Sequence, residues 1–400
     1  MDNFKQISRI IFINTVILFI LIELCSYVYI KVETPNIGYM QKLPTYLDFS
    51  IHDKYEIYYN PLGPYVIDSS YPWSTWHPRN SSFRSRKSCF DVIMRFNAEG
   101  TRGMLPNPQD SSTVFFIGDS FTEGYGLPED STLASLYGMK TGNPVLNLGC
   151  SGYIGTTQYS LIYDHFAKKY QHKQVYVCMF LGNDFMENDI DLYDDFFGTD
   201  KRFRPYRSDS NNLEIITYKG HPDSSLFSWN MFRKENSKEK GKLIQKGLLN
   251  YWRSANGGII QKLINLTYFR RLVYVFQKKN SVKMLPGELN YTEQDFKIVE
   301  YDIRTIMKTA DTYHSSVTFL NIPSNSILLG AIADPKIEGK YLDLEKQIQR
   351  VIQHSSHKYI SLYSYIKNNG IDANDLTFSC DNHFNASGNL MLSNFITSKH

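Results

Sequence analysis

The stretch Val114–Gly126, VFFIGDSFTEGYG, constrains this chain more than any other. Val114–Ile117 is an unbroken apolar, β-prone run. A strand covered on both faces shows that pattern, as in a parallel sheet. The run stops at Gly118, where the chain can turn sharply, and Asp119-Ser120 follow. A serine just past a central strand stands at the carboxyl edge of the sheet, where open α/β sheets bind ligands. Gly, Asp and Ser are also ordinary turn residues, so the stretch alone fits a plain strand-to-helix turn equally well.

The remaining apolar runs extend the pattern. Val145–Leu148, Val175–Leu181, Val317–Ile322 and Tyr359–Leu362 read as further strands. Between them, Tyr159, Ile162, Phe166 and Tyr170 share one helical face. Thr292 and Asp295 form a capping box. It opens a helix in which Phe296, Val299, Ile303, Ile306 and Ala310 recur, and Leu344, Ile348, Val351 and Ile352 mark another. This alternation predicts an α/β fold with parallel strands and helices on both faces.

Phe185–Leu285 interrupts the alternation. It begins acidic (Glu187, Asp189, Asp191, Asp194, Asp195) and turns basic and helical over Lys240–Lys279. We read it as a helical insertion that covers or flanks the site, its charges lying on solvated helix faces. Upstream, residues 33–111 form an aromatic-rich lead-in, densest over Tyr55–Trp76. Such rings can stack on sugars or fill a small core. Phe96–Gly103, FNAEGTRG, reads as a turn or hairpin leading into the main domain at 112–400.

Residues 1–32 hold a nearly continuous apolar run, Ile10–Ile30, long enough to span a bilayer as a helix. No small-x-small site closes it, so an uncleaved anchor is expected rather than a signal peptide. Lys5 and Arg9 precede the run and favour a cytoplasmic amino terminus, which places the rest outside the cytoplasm. Glu23 lies inside the span, either protonated or facing a partner helix. With 43 basic and 40 acidic residues the net charge is +3, and no basic block points to nucleic acid. Cys25, Cys89, Cys150, Cys178 and Cys380 make no cluster with metal-ligand spacing, and no phosphate-binding loop appears, so neither metal nor cofactor is expected. In an oxidising space Cys89 and Cys380 could pair; Cys150 is a competing partner for Cys380, and free thiols are the other alternative.

Three more segments complete a chemical set: NLGCSGY (Asn147–Tyr153), GNDF (Gly182–Phe185) and DNHFNASG (Asp381–Gly388); with the first block, all four are expected at strand ends on one edge of the sheet. A serine hydroxyl needs an adjacent base to act as a nucleophile. His383 suits that role, and Asp381, two residues earlier, can fix its tautomer. The backbone N–H groups of Ser120 and Gly152 and the side-chain amide of Asn183 can hold an oxyanion. Each residue also has a structural reading: Asn183 steadies its turn, Gly152 supplies a positive φ, and Asp381–His383 is a hydrogen-bonded pair.

Together the four blocks GDSFTEG, NLGCSGY, GNDF and DNHFNASG resemble the SGNH, or GDSL-type, hydrolase family over Ser112 to the carboxyl end, the insertion excepted. The resemblance implies a flavodoxin-like three-layer α/β/α SGNH hydrolase fold. It implies Ser120 as nucleophile, Gly152 and Asn183 completing the oxyanion hole, and Asp381 and His383 finishing the triad. The first block has Phe121 where many members have Leu. The last spaces its acid and histidine as DxH rather than DxxH, which also resembles envelope glycan O-acetyltransferase relatives. The expected function is a membrane-anchored esterase or O-acetyltransferase acting on acyl esters of extracytoplasmic glycans. A membrane-bound O-acyltransferase is an expected partner. The alternative is a non-catalytic, membrane-tethered glycan-binding or assembly protein.

Overall fold

Every apolar run expected as a strand from Ser112 onward is one. The computed structural model of the chain describes residues 2–33, 58–59, 65–67, 70–87, 89–152, 154–189, 203–208, 212–219, 233–234, 287–328, 334–378 and 381–399. Two compact units result: Ile51–Glu235 with Leu285–His400, and Met1–Ser50 with Asn236–Met284.

In the second unit the described element is helix α1 (Asp2–Glu33). It exposes Ile13, Val16, Ile17, Leu18, Phe19 and Leu21, and buries Glu23. Among the described residues, which leave out part of this helix's side chains, no helix is long and apolar enough to cross a membrane.

The first unit opens with short strands β1 (Tyr58–Tyr59), β2 (Val66–Ile67) and β3 (Thr75–Trp76). A hairpin of β4 (Ser81–Lys87) and β5 (Phe90–Phe96) follows. Tyr71, Trp73 and Trp76 are buried, and the Tyr71 and Trp73 rings stack 4.7 Å apart. These aromatic residues fill a core, and rings so buried cannot serve as a sugar platform. FNAEGTRG turns as expected: Asn97 N–H donates to Thr101 O at 3.0 Å, and Gly100 takes φ +75°.

The main sheet has five parallel strands: β6 (Val114–Gly118), β7 (Val145–Gly149), β8 (Gln174–Met179), and, beyond the β9–β11 segments described below, β12 (Ser316–Asn321) and β13 (Lys358–Ser361). Their order is β13-β12-β8-β6-β7. The sheet therefore winds outward in both directions, and its switch point lies at β6 and β8. Gly118 is in register with Gly149 and with Cys178, so these three strands end along one line. Phe115, Ile117, Val175, Val177, Val317 and Phe319 join one apolar cluster. Val114, Phe116, Tyr176, Cys178 and Leu320 join another. Successive strand residues face opposite ways, and both faces are covered, so the runs had to be continuously apolar.

Helices cover both faces. Following β6 come α2 (Ser120–Glu123) and α3 (Leu133–Thr141); α4 (Thr156–Ala167) joins β7 to β8, and α5 (Leu181–Asn188) follows β8. Next come α6 (Glu293–Thr312), α7 (Pro335–Ile352), α8 (Leu362–Asn368), α9 (Ala373–Leu376) and α10 (Ala386–Thr397). The α6 capping box forms as expected, with Asp295 N–H donating to Thr292 Oγ1 at 3.2 Å and Thr292 N–H to Asp295 Oδ2 at 2.6 Å.

Two expectations are corrected. The third strand ends at Met179, not Leu181. Asp184 Oδ2 takes the Phe180 N–H at 2.9 Å, and this turns the chain out of the ladder into α5. The insertion also begins differently. Glu187 lies not on a solvated face but in a buried ion pair with Arg204, 3.1 Å away. Arg204 belongs to a hairpin of β9 (Arg204–Arg207) and β10 (Ile216–Lys219). From the same hairpin Arg207 pairs with buried Asp302 of α6. A carboxylate in an apolar layer needs such a partner, and the hairpin supplies two. The short strand β11 (Arg233–Lys234) pairs with β1. Asp191, Asp194, Asp195 and Lys240–Lys279 lie outside the described residues.

Candidate active site

Ser120 is the first residue of α2, immediately after the β6 turn. Two close packings and a helix cap force the sharp exit. A Cβ on Gly118 would sit 2.1 Å from Thr122 Oγ1, and one on Gly149 would sit 2.1 Å from Glu123 N. Asp119 caps the helix by accepting the Phe121 N–H at 3.0 Å. The first helical N–H has no acceptor within its own helix, so the Ser120 amide is available to a ligand.

His383 reaches this serine across 263 positions of sequence. Ser120 Oγ–H donates to His383 Nε2 at 2.7 Å. His383 Nδ1–H donates to Asp381 Oδ1, and His383 N–H donates to the same oxygen at 2.9 Å. Asp381 thereby holds Nδ1 in its protonated state and leaves Nε2 as the acceptor, the tautomer a general base requires. Asp381 is buried, while the His383 side chain keeps 24% of its surface exposed. Phe121 and Tyr125 each centre 4.9 Å from the imidazole.

The loop carrying these two residues does not follow a strand directly, contrary to the expectation that all four blocks sit at strand ends. Helices α8 and α9 intervene after β13. The loop is pinned instead to the end of α9: Asn385 N–H donates to Leu376 O at 2.9 Å, and Phe378 N–H to His383 O at 3.1 Å.

Gly152 and Asn183 follow β7 and β8, the neighbours of β6 in the sheet. Gly152 is buried, and its φ is not positive, which removes that structural reading. The close approach it permits is to Thr75, whose Cγ2 lies 2.1 Å from where a Cβ would be. Asn183 is in the first turn of α5, half-buried, with Oδ1 lacking a hydrogen-bond partner. A cavity of about 590 Å³ borders Arg102, Met139 and Asn147 at the β7 edge; Ser120 and His383 are not among its lining residues.

Three supporting residues escaped the sequence reading. Arg102, inside the FNAEGTRG turn, is buried and donates to Glu123 O at 3.0 Å, to Gly124 O at 2.6 Å and to Leu127 O. It fixes the backbone that follows the serine. Glu123 on α2 is fully buried and accepts from His77 Nε2–H at 2.7 Å. His77 Nδ1–H donates to Gly100 O at 2.8 Å. With both ring nitrogens donating, His77 is an imidazolium. Burial opposes that charge, but Cys150 and Glu123 beside it raise the His77 pKa to about 10. A charged residue inside a tight turn (Arg102) was the one available signal; nothing local in the sequence pairs His77 with Glu123.

Of the cysteines, Cys89 is disulfide-bonded, whereas Cys25, Cys150 and Cys178 are free thiols. Cys150 is thus removed as the competing partner; Cys380 lies outside the described residues.

Burial pushes the Asp119 carboxyl up to about 7, against the opposing Phe121 N–H and His383. The folded chain therefore keeps a proton that the unfolded chain loses near pH 4. Stability falls as pH rises from about 4 to about 7. Asp119→Asn keeps the cap acceptor and removes this titration. Its stability from urea unfolding, relative to the parent, should improve between pH 5 and pH 8 by up to about 3 kcal/mol; an equal difference at both pH values would contradict a buried, proton-holding Asp119.

Neither a search of protein-family models nor a search of curated proteins finds a match to this chain.

Proposed function

We propose that this chain is a serine acyl-ester enzyme of SGNH, or GDSL, type, built on the flavodoxin-like three-layer form of its α/β fold. The Ser120–His383–Asp381 hydrogen-bond relay carries the reading. Ser120 Oγ attacks an ester carbonyl while His383 Nε2 takes its proton. The oxyanion is held by the Ser120 and Gly152 N–H groups and the Asn183 amide. His383 then protonates the leaving alkoxide, which leaves an acyl-Ser120 ester. Water or a sugar hydroxyl, deprotonated by His383, next takes the acyl group, and His383 returns that proton to the departing Ser120 Oγ. Water makes the protein an esterase, and a sugar hydroxyl makes it an O-acetyltransferase.

The apolar run Ile10–Ile30 supports a single-pass anchor with the catalytic unit outside the cytoplasm, where acetylated glycans are substrates and a membrane-bound O-acyltransferase is the donor-side partner. The oxidised state of Cys89 is consistent with such a compartment. A fluorophosphonate probe tests the reading directly. Labelling of the peptide that contains Ser120 is expected, and an unlabelled Ser120 in folded protein would favour a non-catalytic glycan-binding role. Mass spectrometry of envelope glycans from cells with and without the protein would then identify the acyl acceptor.

A further inference from the structure

The lead-in segment touches both loops that carry the backbone donors assigned to the oxyanion. On one side His77 holds Glu123, three residues after Ser120 on α2, through the 2.7 Å bond. On the other side, two residues earlier in the chain, the Thr75 methyl fills the space beside Gly152, and Thr75 O lies 3.9 Å from Cys150 Sγ. Trp76, between them, is fully buried and donates through Nε1 to Glu99 O at 2.8 Å. The His77 ring stacks on Phe96 at 4.1 Å. Three consecutive residues are thus clamped in place and reach two separate strand-end loops.

We propose that Thr75–His77 is a positioning element that sets the spacing between the Ser120 and Gly152 amides, with His77 its positioning residue. The proposal rests on the serine-enzyme reading above. A buried ion pair is often no more stabilising than an apolar replacement of similar volume, and its geometry is what an apolar contact cannot reproduce. Here the geometry joins α2, which starts at the nucleophile, to a segment that also abuts Gly152. An oxyanion bound by two donors needs both fixed before the reaction, and a shift of either weakens the transition state more than the substrate complex. Facing His77 are the Glu123 carboxylate from α2 and the Cys150 thiol that follows β7.

His77→Gln retains a donor toward Glu123 but loses the positive charge and the second hydrogen bond. Thr75→Ser removes only the methyl beside Gly152. For a small acetyl ester, His77→Gln should lower kcat about 10- to 100-fold, less than complete removal of a donor, with KM within about twofold of the parent. Thr75→Ser should lower kcat in the same sense and less. His77→Gln/Glu123→Gln, which removes the stranded carboxylate, should recover folding stability without recovering kcat. Amide hydrogen exchange supplies a readout independent of turnover: His77→Gln should speed exchange at both Ser120 and Gly152. Unchanged exchange at both amides, in folded His77→Gln or in Thr75→Ser if the former does not fold, would overturn the proposal. A parent with no Ser120-dependent turnover would remove the enzyme reading, and the exchange rates would still decide the positioning role.

Discussion

Ser120→Ala lowers turnover of a small acetyl ester by about a thousandfold or more, with the thermal midpoint of unfolding close to that of the parent. The Ser120 hydroxyl makes one hydrogen bond, to His383 Nε2, and the half-buried side chain packs into no apolar layer. Its loss therefore costs the fold little and the chemistry nearly everything, because no other hydroxyl is bonded to that nitrogen among the described residues. His383→Ala should be comparably inactive. The two losses should not add, since nucleophile and base act as one unit. Steady-state kinetics on the two single variants and the double variant check this. Turnover at the parental rate in folded Ser120→Ala would eliminate the proposed nucleophile.

Arg102→Ala destabilises the first unit on the order of 3–5 kcal/mol, the cost of removing one partner from a buried charged network. The Arg102 guanidinium is fully buried and serves the carbonyls of Glu123, Gly124 and Leu127, with Glu129 at 3.4 Å as counter-ion. Alanine takes the Arg102 donor from the Glu123 and Leu127 carbonyls and leaves Gly124 O with the Leu127 N–H at 3.1 Å, in a turn whose Gly124 and Gly126 already hold positive φ. The Arg102 main chain also bridges to Asn147 on β7, and alanine retains that pairing, so the loss is confined to the turn. Urea unfolding of the variant measures the effect. A change below about 1 kcal/mol would mean that the turn stands without its clamp. Activity in the folded variant should fall as well, since this turn carries the serine.

The five strands, the helix over Thr156–Ala167 and the α6 cap were legible because each rests on a local rule. A strand covered on both faces needs an unbroken apolar run, and a cap needs its acceptor three residues from the helix start. The triad candidates were legible because only a few side chains can do their chemistry, although Ser120 alone of the three follows a strand directly. The insertion was misread at Glu187, because a charged residue in sequence carries no mark of being buried. Its partner Arg204 lies 17 positions away, across a segment with no periodicity to follow. The aromatic stretch around Trp73 was open between core and platform for the same reason: ring content is local, while burial is set by what packs on it.

By itself the sequence determined the parallel sheet, its carboxyl edge, and which serine, histidine and aspartate are chemically able to work there. Only the tertiary structure decided that His383 meets Ser120, that its loop hangs from α9 rather than from a strand, and that His77, Thr75 and Arg102 brace the turn from outside the sheet. The division follows from range. Periodicity and capping are properties of neighbours within a few residues, whereas a hydrogen bond across 263 positions depends on the path of everything between.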